Sequence, residues 1–132
     1  MAFEATLIFE TSKPIPMTCS DTVGIEKGTL LALSDPFTVA AHASANQQIG
    51  GIAAGEKIAS DGITTIDVFR EGIFKVTCSG SVAVGDSLAL SSVANKIMSS
   101  GATCSGSKTC GLALETVAGD ETFLMELRPG AN

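Results

Sequence analysis

The sequence predicts an all-β fold: a small β-barrel or β-tulip-like body built from two similar halves, with an extended N-terminal arm. Three observations carry this. Short apolar runs are separated by clusters of Gly, Asp, Ser and Asn, the pattern of strands joined by turns. Helical periodicity is nearly absent, and the best helical candidate, Val39 to Ala45, is about one or two turns long. The chain also echoes itself. Lys27-Gly28-Thr29-Leu30-Leu31-Ala32-Leu33-Ser34 matches Val84-Gly85-Asp86-Ser87-Leu88-Ala89-Leu90-Ser91 without a gap, and Gly51-Ile52-Ala53-Ala54 then matches Gly111-Leu112-Ala113-Leu114.

Strands are expected near 3–9, 29–34, 48–54, 63–70, 72–78, 87–91, 95–98, 110–115 and 122–128. Turn signals fall between them at Ser34-Asp35-Pro36, Ser60-Asp61-Gly62, Val84-Gly85-Asp86 and Ala118-Gly119-Asp120. The halves close alike, on Arg70-Glu71-Gly72 and Arg128-Pro129-Gly130. Residues 1–20 fall outside the echo and read as an N-terminal arm or first edge strand, ahead of a barrel-like domain at 21–132. In the arm, Phe3, Ala5, Leu7 and Phe9 alternate with Glu4, Thr6, Ile8 and Glu10, so one face is apolar. Pro14 and Pro16 then favour a stiff, extended segment. These six residues, Phe3, Ala5, Leu7, Phe9, Pro14 and Pro16, are the expected contacts to a partner surface, where an arm adds a strand to a free sheet edge. An ordinary edge strand of the body is the other reading.

Composition narrows the function. The chain has 132 residues, one domain's worth, and a net charge of −6 with its basic residues scattered singly. A phosphate backbone would be repelled, so no nucleic-acid partner is expected. No apolar stretch approaches the roughly eighteen residues needed to span a bilayer, and the start lacks a basic n-region with an apolar core. The expectation is a protein made in a cytoplasm, with no membrane partner. Mean hydropathy is +0.36, high for a small soluble monomer, which fits either a compact core rich in Ala and Val or apolar surface covered by other chains.

Chemistry is hard to place. Gly101 to Lys108 looks at first like a phosphate-cradling loop, but Ser107 separates Gly106 from Lys108 and the next stretch reads as a strand. The Val84-Gly85-Asp86 turn resembles that of a lipoyl or biotinyl carrier, yet Lys75 sits in mid-strand, where no hairpin tip would present it. His42 has no evident nucleophile, and the carboxylates are spread singly. No enzyme, cofactor or metal site is expected. Among four cysteines none form a Cys-x-x-Cys pair. Cys104 and Cys110 flank a Ser/Gly loop that would bring two strand ends within bridging distance. A cytosolic origin argues instead for free thiols, so both readings stay open.

Segments at 27–33, 49–56, 68–74, 84–90 and 111–116 occur in an order that resembles the capsid cement, or decoration, proteins of tailed viruses. The resemblance covers about residues 23–128; the Cys104–Cys110 loop and the Pro14-Ile15-Pro16 segment depart from it. It implies a barrel-like body, a homotrimer at three-fold or quasi-three-fold positions, and the major capsid protein as partner. It implies a place on the outer capsid surface of the virion, where the protein stabilises capsomer joints after shell expansion, with no catalysis and no cofactor. A different virion module, such as a head-fibre base or tail component, is the alternative; a small carrier or enzyme domain comes after it.

Overall fold

A computed structural model describes residues 3–45, 47–99 and 109–128. These form eleven strands: β1 (Thr6–Phe9), β2 (Ile15–Thr18), β3 (Leu30–Asp35), β4 (Thr38–Ala41), β5 (Ile49–Ala53), β6 (Thr65–Phe69), β7 (Gly72–Thr77), β8 (Ser87–Leu90), β9 (Ile97–Ser99), β10 (Gly111–Ala113) and β11 (Thr122–Leu127). There is no helix among the described residues. Strands β2-β4-β3-β5-β6 close into a barrel, and β1-β7-β11-β10-β8-β9 form a six-stranded sheet.

The two halves repeat one wiring scheme. In the first, β3 pairs with β4 and β5, β5 with β6, and β6 with β2. A parallel contact, Thr18 to Thr38, closes the ring. In the second, β8 pairs with β9 and β10, β10 with β11, and β11 with β7. A single parallel bridge, Cys78 to Ile97, stands where the first half closes. The turns repeat bond for bond. Ile25 and Lys57 exchange backbone hydrogen bonds of 2.8 Å; Val82 and Val117 exchange bonds of 3.0 and 2.9 Å. The Gly28 N–H donates to Ala53 and the Gly85 N–H to Ala113, both at 2.9 Å. Cys19 donates to Thr64 as Cys78 donates to Glu121. The echo in the sequence is thus a duplicated backbone framework.

Its most uniform stretches are those buried on both faces. Along β3, Leu30 and Ala32 enter the main core with Ile49, Ile52, Phe74, Leu88, Leu90 and Phe123. Leu31, between them, turns into the barrel beside Met17, Val39, Ile66 and Val68. Two-sided burial favours continuous apolar runs over alternation. The glycine that opens the matched segments has a packing cause. A Cβ at Gly51 would strike the Phe69 carbonyl, and one at Gly111 the Glu126 carbonyl.

Two segments depart from expectation. Val39 to Ala45 is not helical: Thr38–Ala41 is β4, paired with Leu31 to Asp35 of β3, with Val39 buried and Ala40 exposed. The alanines' helix propensity loses to cross-strand pairing after a tight turn, where Phe37 takes φ of 53°. Strand β2 lies where prolines hid it. It pairs with β6 over Ile15 to Thr18, while its other flank meets β4 only at Thr18, so most of it is edge-like and tolerates Pro16. The Pro14–Pro16 segment is therefore built into the barrel and does not hold an arm away from it.

Candidate interaction surface

The N-terminal residues are fastened to the body at three points. Thr6–Phe9 runs antiparallel to β7, with an irregular register between Leu7 and Phe9. The Ala5 N–H donates to the Gly28 carbonyl at 3.0 Å. The Asn95 amide donates to the carbonyls of Phe3 at 2.8 Å and Gly28 at 3.1 Å, and its Oδ1 accepts from the Leu30 N–H at 2.6 Å. Lys96, paired with Asp120 at 2.8 Å, also places its ammonium 4.4 Å from the centre of the Phe3 ring. Asn95 is itself held in the left-handed region, φ 59°, by its own N–H, which donates to His42 Nε2 at 2.8 Å. That bond leaves the ring proton on Nδ1, which is buried without a hydrogen-bond partner. Burial lowers the His42 pKa, against an opposing pull from the Ser91 backbone.

A second knot fixes the loops at the end of the first half. Lys57, with its side chain 1% exposed, donates to the carboxylates of Asp61 at 2.7 Å and Asp21 at 3.1 Å, and to the Ile58 and Asp21 carbonyls. The same carboxylates accept N–H bonds from Gly62 and Ile63. Burial by itself would lower the Lys57 pKa; the hydrogen bonds it donates to Asp61 and Asp21 outweigh that and raise the value. The Lys57 hydrogen bond, with that of the Ile63 N–H, lowers Asp61. Burial pushes the neighbouring Cys19 thiol up.

Between the knot and the Asn95 clasp lies a groove of about 510 Å³. Ile25, Ala41, Ile58, Ala59 and Ala94 give it apolar walls, His42 and Asn95 line it, and Glu26 and Glu56 add charge. Ile58 is 69% exposed.

The expected contact residues scatter. Phe3 and Phe9 are exposed, at 45% and 62%, but Ala5 is buried and Leu7 packs half-buried on the core. Pro14 is half-buried and Pro16 exposed. Leu7 pairs with Phe74 and Phe9 with Ile73, so Ile8 is the extra residue and simple alternation fails. Cys110 is buried in the core, and Cys104 lies outside the described residues, as do residues 105–108. The His42–Asn95 clasp, the Lys57 knot and the groove were not singled out from sequence. A usable signal existed for one: Lys57 stands where the echo has Val117.

No protein-family model and no curated protein matches this sequence. Among solved structures, the crystal structure of the head fibre gp8.5 N base of bacteriophage phi29 is similar, with a TM-score of 0.54 and 16% identity. The match covers 86% of this chain and 92% of that one. At this identity the likeness is one of fold.

Proposed function

We propose that the protein is a structural component of a virion that acts by binding the outer surface of an icosahedral head, without catalysis or cofactor. The observation that carries this reading is the fold likeness to a phage head-fibre base over 92% of that chain. Two forms of the role follow. As a cement protein it would sit on the major capsid protein as a homotrimer and brace capsomer joints; the ordered sequence segments favour this. As a head-fibre base it would anchor a projecting fibre; the fold likeness favours this. Either form uses apolar surface for contact, and Ile58, Val84, Phe9 and Phe37 are each more than half exposed.

The test is co-sedimentation of the full chain with heads of its parent virus that lack it, followed by electron microscopy and a heat-rupture assay. Cement predicts density over capsomer joints and a raised rupture temperature. A fibre base predicts sparse density beneath radial projections and no change in rupture. Failure to sediment with such heads would sink both.

A further inference from the structure

We propose that the groove at the end of the first half is a docking site for a segment of another protein chain that presents a large apolar side chain flanked by Lys or Arg. The inference concerns the occupant's chemistry and goes beyond a role on the head, since it holds whichever protein owns the segment.

The duplication supplies an internal control. Ile25 and Lys57 exchange the same pair of backbone bonds as Val82 and Val117, so the residues beside them correspond. Ile58 then matches Ala118, Glu56 matches Thr116, and Glu26 matches Ala83. The second half builds the same turns with small or neutral residues at all three places. The framework therefore does not require an exposed Ile58 or a Glu56, and their presence in the first half calls for another use.

The walls say what kind. Ile58 is 69% exposed, and Val23 and Val93, next in the chain to the lining residues Gly24 and Ala94, are 55% and 41% exposed. The groove's volume, about 510 Å³, suits a side chain or small ligand. The groove is open to solvent along one side and not enclosed, so a chain segment can lie across it. Charge selects the flanks. Glu26 and Glu56 line the groove, and its one lining ammonium, Lys57, is already held by the carboxylates of Asp21 and Asp61. An acidic rim around an apolar trough attracts a cationic segment and repels an anionic one.

The probes are two synthetic peptides with one Leu-Phe-Leu centre, one flanked by lysines and one by glutamates. They are titrated into the isotope-labelled full chain and followed by amide shifts. The lysine peptide is expected to move Ile25, Ile58, Ala94 and Asn95, and to bind at least about tenfold more tightly than the glutamate peptide. Its affinity should fall as salt rises from about 0.05 to about 0.5 M. Ile58→Ser and Glu56→Lys should each weaken it by about tenfold or more, while Val84→Ser, an equally exposed valine of the second half, leaves it unchanged. Equal binding of both peptides, shifts centred on Val84 and Leu114, or an Ile58→Ser chain that binds undiminished would overturn the proposal. So would binding to neutral phosphatidylcholine vesicles with the same shifts, which would mark a general apolar patch.

Discussion

The two halves of this molecule share a backbone and little of their surface chemistry. Where the first half seats Lys57 among Asp21, Asp61 and two carbonyls, the second has Val117 packed half-buried on the main core. Where the first closes its barrel through β2 and β4, the second leaves one bridge at Cys78, and β7 takes β1 as its outer neighbour. Main-chain bonds set the duplicated frame, and side chains beyond it diverge with the job each end performs. The N-terminal strand is one product: it covers an edge of the open sheet that would otherwise invite foreign strands.

The comparison breaks most severely at the matched glycines of β5 and β10, Gly51 and Gly111. Gly51→Ala meets both a carbonyl collision and a φ of 144°, so it should cost on the order of 3 kcal/mol or more in denaturant unfolding. Gly111→Ala meets the collision without the unfavourable φ and should cost less. Equal losses would show that the close strand approach alone explains the repeated glycine.

Next comes the clasp that ties the halves together. Asn95→Gly keeps the left-handed backbone but strands the Leu30 N–H and removes the bonds to Phe3 and Gly28. A loss of about 2–3 kcal/mol is expected. Amide exchange should quicken at Leu30 and in β1, while the barrel around Met17 and Val39 stays protected. If exchange rises evenly over both halves, the side chain is not a local tie.

The Lys57 knot is a sharper probe of divergence. Lys57→Val imports the second half's residue and leaves Asp21 and Asp61 facing each other, so Tm should fall by several degrees. Adding Asp61→Asn should recover part of that loss. Because Asp61 has a lowered pKa, its contribution is present above the ordinary carboxylate range and fades as pH drops below it. The wild type should therefore lose more stability on acidification below about pH 4 than Lys57→Val does.

How legible this was depends on distance along the chain. Strands β3 and β8 were readable because two-sided burial demands Leu30-Leu31-Ala32 and Leu88-Ala89-Leu90, and local composition records that demand. Strand β2 was not, since its prolines signal a break while its edge-like position forgives them. The alternation from Phe3 to Phe9 was real in sequence, but the irregularity at Ile8 and the burial of Ala5 under Gly28 are tertiary outcomes. Lys57 and Asp21 lie 36 positions apart and His42 and Asn95 53 apart, so no local pattern could pair them.

The smallest expected effect concerns His42, and it tests whether the clasp is pH-sensitive. In the neutral ring Nε2 accepts the Asn95 N–H. Protonation replaces that lone pair with a second N–H, opposing two donors, and places a charge where Nδ1 already lacks a partner. The Ser91 backbone favours the cation. Burial decides, and it lowers the folded pKa below the unfolded value. A group lowered in this way contributes stability that is full above the unfolded pKa, about 6.5 for His, and is lost as pH falls from there toward the folded value. The slope in that window is at most about 1.4 kcal/mol per pH unit, and the total is smaller than the Asn95 effect. The measurement is urea unfolding between about pH 7.5 and 5, in wild type and in His42→Gln, whose side chain carries an acceptor but does not titrate. The wild type should weaken across this range while His42→Gln stays flat, and exchange at the Asn95 amide should quicken with acid in the wild type alone. Parallel curves would place the acid response elsewhere in the chain and leave the clasp a purely structural tie.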